Sequence, residues 1–271
     1  MHRLLYVSDP TFPARGRDYG REDIELMRRL EEEFVLAMCS PRQVVELMGG
    51  FDAVVVRNSG PVLADPGAWE RFRDAALASG TRVYNELTGK ADMRGKDYLP
   101  ELAAAGYPVI PTVTSPADPD RLPAAPRYVV KPLQGADSIG LRVLGPAEVR
   151  ALAEPGLLVQ PELDFAYEVS FYFVDGTLVY ALHTPDPAHR WELTPYAPTP
   201  DDVRFARRFV EWNAVRHGIQ RVDAMRTGDG RLLLVELEDL NPYLSLDRTA
   251  PEARERFVAE FRAALHRLLE Q

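Results

Sequence analysis

The sequence predicts an α/β protein whose first lobe carries a parallel sheet and whose later lobes have α+β character. Three observations point there. Strand-like and helix-like segments alternate from the N-terminus to "TRVYN", two hairpin patterns follow after Leu157, and a long amphipathic helix closes the chain. At 271 residues the chain can bury substantial cores and divide into two or three lobes.

In order, the first lobe reads as the strand "RLLYVSD", a helix from about Arg21 to Phe34, the strand "DAVVVRNSG", a helix through "WERFRDAALASG", and the strand "TRVYN". A second lobe begins near Thr88. There "GKDYLPELAAAG" predicts a helix stopped by Gly106, "YPVIPTV" a short strand, "SPADPDRLPAAP" a proline-rich loop, and "YVVKPL" and "IGLRVL" two strands. The expected divisions are 1–88, 89–160 and 161–271. In the last of these, "YEVSFYFVDGTLVYALH" alternates about Asp175-Gly176, a strong hairpin signal. A two-residue turn there places Glu168 across from His183. A helix follows from about Pro200 to His217, with Val203, Ala206, Val210 and Ala214 inward, and the closing helix opens at Pro251 with Phe257, Phe261, Leu265 and Leu268 on one stripe.

The second hairpin, "IQRVDAMR" and "RLLLVELEDL" about "TGDG", carries the chemistry. Glu236 and Glu238 alternate onto one face, roughly 7 Å apart, while Asp239 points the other way. A two-residue turn at Gly228-Asp229 pairs Asp223 with Leu234 and Arg221 with Glu236, bringing all of them to that face; an odd-length loop turns Asp223 away. Pro242 ends the strand and directs Asn241 toward the same cleft. Three carboxylates and an arginine on one face either stand in solvent or serve a hard cation such as Mg2+.

Composition excludes several classes. No run of about 18 apolar residues is present for a membrane span, and "MHRLLYVSDP" enters a strand without a signal-peptide pattern. The single Cys39 rules out an internal disulfide, and together these features lead to an expected cytoplasmic location. A net charge of −9 argues against nucleic acid as a partner. Of 32 basic residues only three, Lys90, Lys96 and Lys131, are lysines; in a chain so rich in arginine, a lysine can mark a place that needs a compact ammonium, such as a phosphate site.

These motifs, in this order, resemble the ATP-grasp superfamily, which includes glutathione synthetase-like and cycloserine-type ligases. The residues that carry the resemblance are "VVVRNSG", "VYNELTGKADMRGKDYLPELAAAGYPVIPT", "YVVKPLQGADSIGLRVL", "LLVQPEL", "YEVSFYFVDGTLVYALH" and "RVDAMR" with "LLLVELEDLNPYL". The resemblance implies an ATP-grasp fold behind a Rossmann-like N-terminal lobe. Lys96 and Lys131 would hold the α and β phosphates, and Gly135, Ala136, Ser138 and Gly140 would form a phosphate cover. Gln160 through Leu163 would meet adenine, and Glu162 or Glu168 the ribose hydroxyls, with Glu168 alternatively a cross-strand partner of His183. Asp223, Glu236, Glu238 and Asn241 would surround Mg2+, or Mn2+. The family motifs vary at the positions of Glu238 and Asn241, which leaves the number of ions open.

Arg221 and Arg190 would clamp the reacting groups, and Arg57, Asn58 and His183 would meet substrate. The implied reaction is attack of a carboxylate on the γ-phosphate of ATP, with an amine capturing the acyl phosphate and ADP and phosphate released. The carboxylate and amine would come from amino acids or small peptides, and a homodimer is common in the superfamily. A kinase-like phosphotransferase and a non-catalytic nucleotide-binding module stay open as alternatives.

Overall fold

A computed structural model describes residues 1–11, 17–58, 65–116, 121–134, 140–186, 189 and 192–271. The first sheet has the order β2-β1-β3-β4, every pairing parallel. Its strands are β1 (Arg3–Ser8), β2 (Val35–Cys39), β3 (Ala53–Asn58) and β4 (Val83–Tyr84), linked by α1 (Tyr19–Leu30), α2 (Val44–Leu47) and α3 (Pro66–Ser79). Continuous apolar runs suit strands covered on both faces. Leu5, Val7, Val54 and Val56 pack under Trp69 and Phe72 of α3, while Leu4, Tyr6, Ala53 and Val55 face α1. Local signals set the helix ends. Asp18 caps α1 by accepting from the Arg21 amide at 2.9 Å, so this helix begins and ends earlier than the expected Arg21 to Phe34. Asp65 caps α3 ahead of Pro66, and Gly80 ends it in the left-handed region at φ 65°.

Next come α4 (Tyr98–Ala104) and a three-stranded antiparallel sheet, β6-β5-β7, built from β5 (Tyr128–Pro132), β6 (Arg142–Leu144) and β7 (Leu157–Pro161), with α5 (Pro146–Arg150) against it. The strand expected in "YPVIPTV" is absent. Pro108 and Pro111 lack the donors a ladder needs, and only two isolated bridges form, Val109 with Leu234 and Val113 with Val159.

The third sheet has the order β10-β9-β8-β11-β12 and comprises β8 (Phe165–Val174), β9 (Thr177–Thr184), β10 (Thr194–Pro195), β11 (Ile219–Thr227) and β12 (Leu232–Glu238). One face packs Phe171, Val222, Leu234 and Leu237 against α4 and α6 (Pro200–Asn213). α6 opens with a Thr199–Asp202 capping box and ends at Asn213, four residues before the expected end, with Ala214 left-handed at φ 59° as its cap. Of the residues expected inward on α6, Ala206 and Val210 are buried, whereas Ala214 is exposed. On the other face, Tyr172, Val174 and Tyr180 pack against the closing helix α7 (Pro251–Leu269), whose Phe257, Phe261, Leu265 and Leu268 are buried as expected. No helix among the described residues is long and apolar enough to cross a membrane.

Both hairpin registers differ from expectation, the first by one residue and the second by two. In the first, the turn at Asp175-Gly176 pairs Val174 with Thr177, but a bulge after Tyr172 moves Glu168 opposite Thr184 and His183 opposite Val169. In the second, the ladder closes at Arg226–Leu232 around an odd-length tip, the case that alone turns Asp223 away. A bulge between Asp223 and Ala224 absorbs the extra residue, because Val235 and Glu236 both stand on the cleft side opposite Asp223. Asp223 therefore pairs with Glu236 and Arg221 with Glu238, and all four share one face.

Candidate functional site

The open part of that face is a cleft over β8, β11 and β12, lined by Glu168, Ser170, Tyr172, Arg221, Asp223, Glu236 and Glu238, together with Tyr243 and Arg17. Arg221 organises it. Its Nε donates to Asp223 Oδ1 at 2.9 Å and its Nη1 to the Tyr243 carbonyl at 3.0 Å, while Nη2 reaches Asp223 Oδ2 at 2.8 Å and also Glu238. Ser170 Oγ, from the neighbouring strand, donates to Asp223 Oδ1 at 2.6 Å. Lys96 enters just ahead of α4 and ion-pairs with Glu236. A planar fork thus holds two carboxylates and a point charge holds the third.

The two glutamates differ in charge state. Burial works against ionised Glu236, but Lys96, Lys131 and Arg221 outweigh it and hold the carboxyl below its usual range. Burial pushes Glu238 up to about 8, with Arg221 pulling down and Asp223 and Glu236 pushing up. Lys96, although buried, is held above the usual lysine range by Glu236 and Asp92.

Several expected residues meet here and others do not. Lys131 lies in β5, partly buried, and its charge reaches Glu236. Glu168 lines the cleft, so its register opposite Thr184 leaves it on the same face as Ser170 and Asp223. Gly140 sits at φ 78° against Pro132, where a Cβ would come within 2.9 Å of the ring. Gly135, Ala136, Ser138 and Arg190 lie outside the described residues. Gln160 turns its side chain inward to donate to Thr112 Oγ1 at 2.8 Å, and its backbone pairs with Val129 in the ladder between β5 and β7. Glu162 ion-pairs with Arg127 beyond the end of β7, followed by the partly buried Leu163. Asn241 follows the end of β12, three residues beyond Glu238.

Three expected substrate residues are placed elsewhere. Arg57 has no exposed surface; it lies 3.6 Å from Glu22 and 3.4 Å from Asp23 and donates to the Pro242 carbonyl, which makes it a brace for the loop after β12. Asn58 is buried and donates to the Asp9 carbonyl at 2.9 Å. The one-step register shift puts His183 on the opposite face of the sheet, between the rings of Tyr167 and Tyr196. Lys90, which had no expected role, lies over the Trp212 ring and donates to that residue's carbonyl.

Among the described residues no group of three or more carboxylate, histidine or cysteine side chains is arranged to hold a metal ion. The four expected donors do not form one cage; Glu236 is ion-paired with Lys96, and Asp223 and Glu238 with Arg221. The donor chemistry nevertheless fits Mg2+, which takes one or two carboxylates and completes its shell with water and phosphate. Glu236 and Glu238 suit that smaller demand.

Sequence reasoning missed Asp92, Ser170 and Tyr98. Asp92 lies four residues before Lys96; burial pushes its carboxyl up to about 7, Lys96 opposing and Glu236 and Asp239 reinforcing. The spacing was a usable signal. Ser170 reaches Asp223 only because β8 neighbours β11, a pairing across 53 residues that no local pattern reveals.

No family model matches the chain. The cycloserine biosynthesis protein DcsG of Streptomyces lavendulae is 29% identical over 249 residues, a match covering 72% of this chain and 78% of that protein. Among solved structures, the D-cycloserine synthetase DcsG matches with a TM-score of 0.75 at 22% identity, covering 98% of this chain and 99% of the other. The D-alanine–D-alanine ligase of Bacillus anthracis complexed with ATP matches at 0.67 and 12% identity, covering 100% and 97%. The ATP-grasp ligase PsnB with a phosphomimetic precursor variant, Mg and ADP matches at 0.67 and 16% identity, covering 96% and 98%. Matched along nearly its whole length by each of these solved structures, the chain has the ATP-grasp fold.

Proposed function

We propose that the chain is an ATP-dependent ligase that joins a carboxylate to an amine, with amino acids or small peptides as the substrate class. The observation that carries this reading is the meeting of Lys96 with Glu236 in a cleft where Arg221, Asp223 and Glu238 stand on the same strand face. The names of its structural relatives, D-cycloserine synthetase and D-alanine–D-alanine ligase, support the same class of reaction.

In the proposed reaction a substrate carboxylate oxygen bonds to the γ-phosphorus as the β,γ-bridging P–O bond breaks, releasing ADP. An amine nitrogen then bonds to the acyl carbon and loses a proton as the C–O bond to phosphate breaks. Lys96 and Lys131 would neutralise phosphate oxygens, and Arg221 would fix the carboxylate face while keeping its own charge throughout. Bound at Glu236 and Glu238, Mg2+ would supply charge neutralisation on the transferred phosphoryl group.

A screen of amino acids and short peptides for ADP release, with mass spectrometry of the products, tests this. The expected result is an amide formed in step with ADP. Lys96→Met and Glu236→Gln should each lower kcat/KM by about 100-fold or more, the scale set by loss of one charge-stabilising group. A stable phosphorylated product with no amine consumed would replace the ligase by a phosphotransferase. Equal thermal stabilisation of wild type and Glu236→Gln by Mg-ATP, with no turnover on any substrate, would overturn the enzymatic reading.

A further inference from the structure

Asp239 points away from the cleft, and its surroundings show a different use for it. It is fully buried, and its carboxylate accepts three hydrogen bonds. The Met93 amide donates to Oδ1 at 2.8 Å, and the Ala91 amide and Asn213 Nδ2 donate to Oδ2 at 3.0 and 3.1 Å. Ala91 and Met93 flank Asp92 in the tight turn that delivers Lys96. Gly89 completes the seat, since a Cβ there would overlap the Asp239 carboxylate. Beyond the turn, the Lys96 amide donates to the Leu133 carbonyl at 3.1 Å and the Tyr98 hydroxyl accepts from the Leu237 amide at 2.7 Å. Segment 91–98 is therefore bound to β12 and the residue after it through Tyr98, Ala91 and Met93, and to the residue after β5 through the Lys96 amide, while the Lys96 side chain reaches Glu236 on the cleft face.

Resting on the ligase reading, we infer that Asp239 is a positioning residue for the Lys96 ammonium. It clamps the backbone of the 91–93 turn and so fixes where Lys96 meets a bound nucleotide. The chemistry requires a carboxylate: three donors converge on two oxygens, and an asparagine of the same shape would turn an NH2 toward at least one of them. Because the clamp acts on the backbone of the turn, its effect on a bound nucleotide passes through the ammonium at position 96 and is lost when that position carries none.

A double-mutant cycle tests this without knowledge of the acid or the amine, using Mg-ATP binding followed by calorimetry. In the wild-type background Asp239→Asn should weaken Mg-ATP by about 10-fold, whereas in a Lys96→Met background it should change binding by no more than about 2-fold. Equal losses in both backgrounds would overturn the positioning role, because general destabilisation does not depend on residue 96. If Lys96→Met weakens binding and Asp239→Asn does not, the inference fails alone; if Lys96→Met is itself without effect, the nucleotide reading fails with it. Should Asp239→Asn not fold, Gly89→Ala presses on the same carboxylate from the turn side, and the same pattern of losses is expected.

Discussion

Arg221 directs its guanidinium at Asp223, Glu238 and the Tyr243 carbonyl and is 5% exposed. Removing it strands two carboxylates in a partly buried face, and loss of one partner from such a group costs about 3–5 kcal/mol. Arg221→Met should lower the urea unfolding free energy by that amount, whereas a loss below about 1 kcal/mol would show that solvent already screens the face. Arg221→Lys should fall between, because an ammonium restores the charge without the fork. The same distinction explains what residue types revealed in advance. The scarcity of lysine pointed to Lys96 and Lys131, since a compact ammonium is a chemical choice visible in one letter. It also pointed to Lys90, which packs on Trp212. Arg57 could not be read this way, because among 29 arginines nothing in the sequence separates a buried brace from a surface clamp.

At the scale of elements, strands and helices were legible where local chemistry decides them. Asp175-Gly176 makes the first turn, Thr199 and Pro200 open α6, and apolar spacing marks α7. Register was not, because bulges inside strands are set by packing across the sheet. Leu234 and Leu237 are three apart in sequence yet both fully buried on one face, which requires the extra residue at Val235. Core burial therefore holds Asp223 opposite Glu236, and the tip loop only follows. Deleting Gly228 from the tip should lower Tm by a few degrees, about what a cost of 1 kcal/mol produces in a chain of this size, and leave Mg-ATP stabilisation unchanged. Loss of the nucleotide response in that variant would place control of the register in the loop instead. Asp239 escaped the sequence reading for a related reason: its partners are backbone amides of Ala91 and Met93, which have no signature in side-chain identity.

Across the whole molecule, the first sheet and the last helix share one core, in which Leu4, Tyr6 and Val55 meet Tyr172, Tyr180, Phe257 and Phe261. A buried polar group crosses the same junction. Glu22 accepts from the Leu244 and Leu246 amides at 2.9 and 3.2 Å, Arg57 lies beside Glu22 and Asp23, and Tyr6 donates to Asp23. Burial pushes Glu22 up to about 7 against the pull of Arg57 and the two amides, and burial likewise raises Asp23. A carboxyl whose folded pKa lies above its unfolded value stabilises the fold fully below the unfolded pKa, and that contribution is lost as pH rises through the folded one. For Glu22 the window runs from the ordinary 4.5 to about 7, and the loss across it is on the order of 3 kcal/mol. Denaturation midpoints from pH 5 to 8 should therefore fall more steeply for the wild type than for Glu22→Gln, whose amide carries no proton to release. The gap between the two curves should close or invert toward pH 8, when the wild type must hold an ionised glutamate at the junction. Parallel curves would mean that Arg57 and the two amides keep Glu22 ionised throughout, and the junction would then be a permanent ion pair.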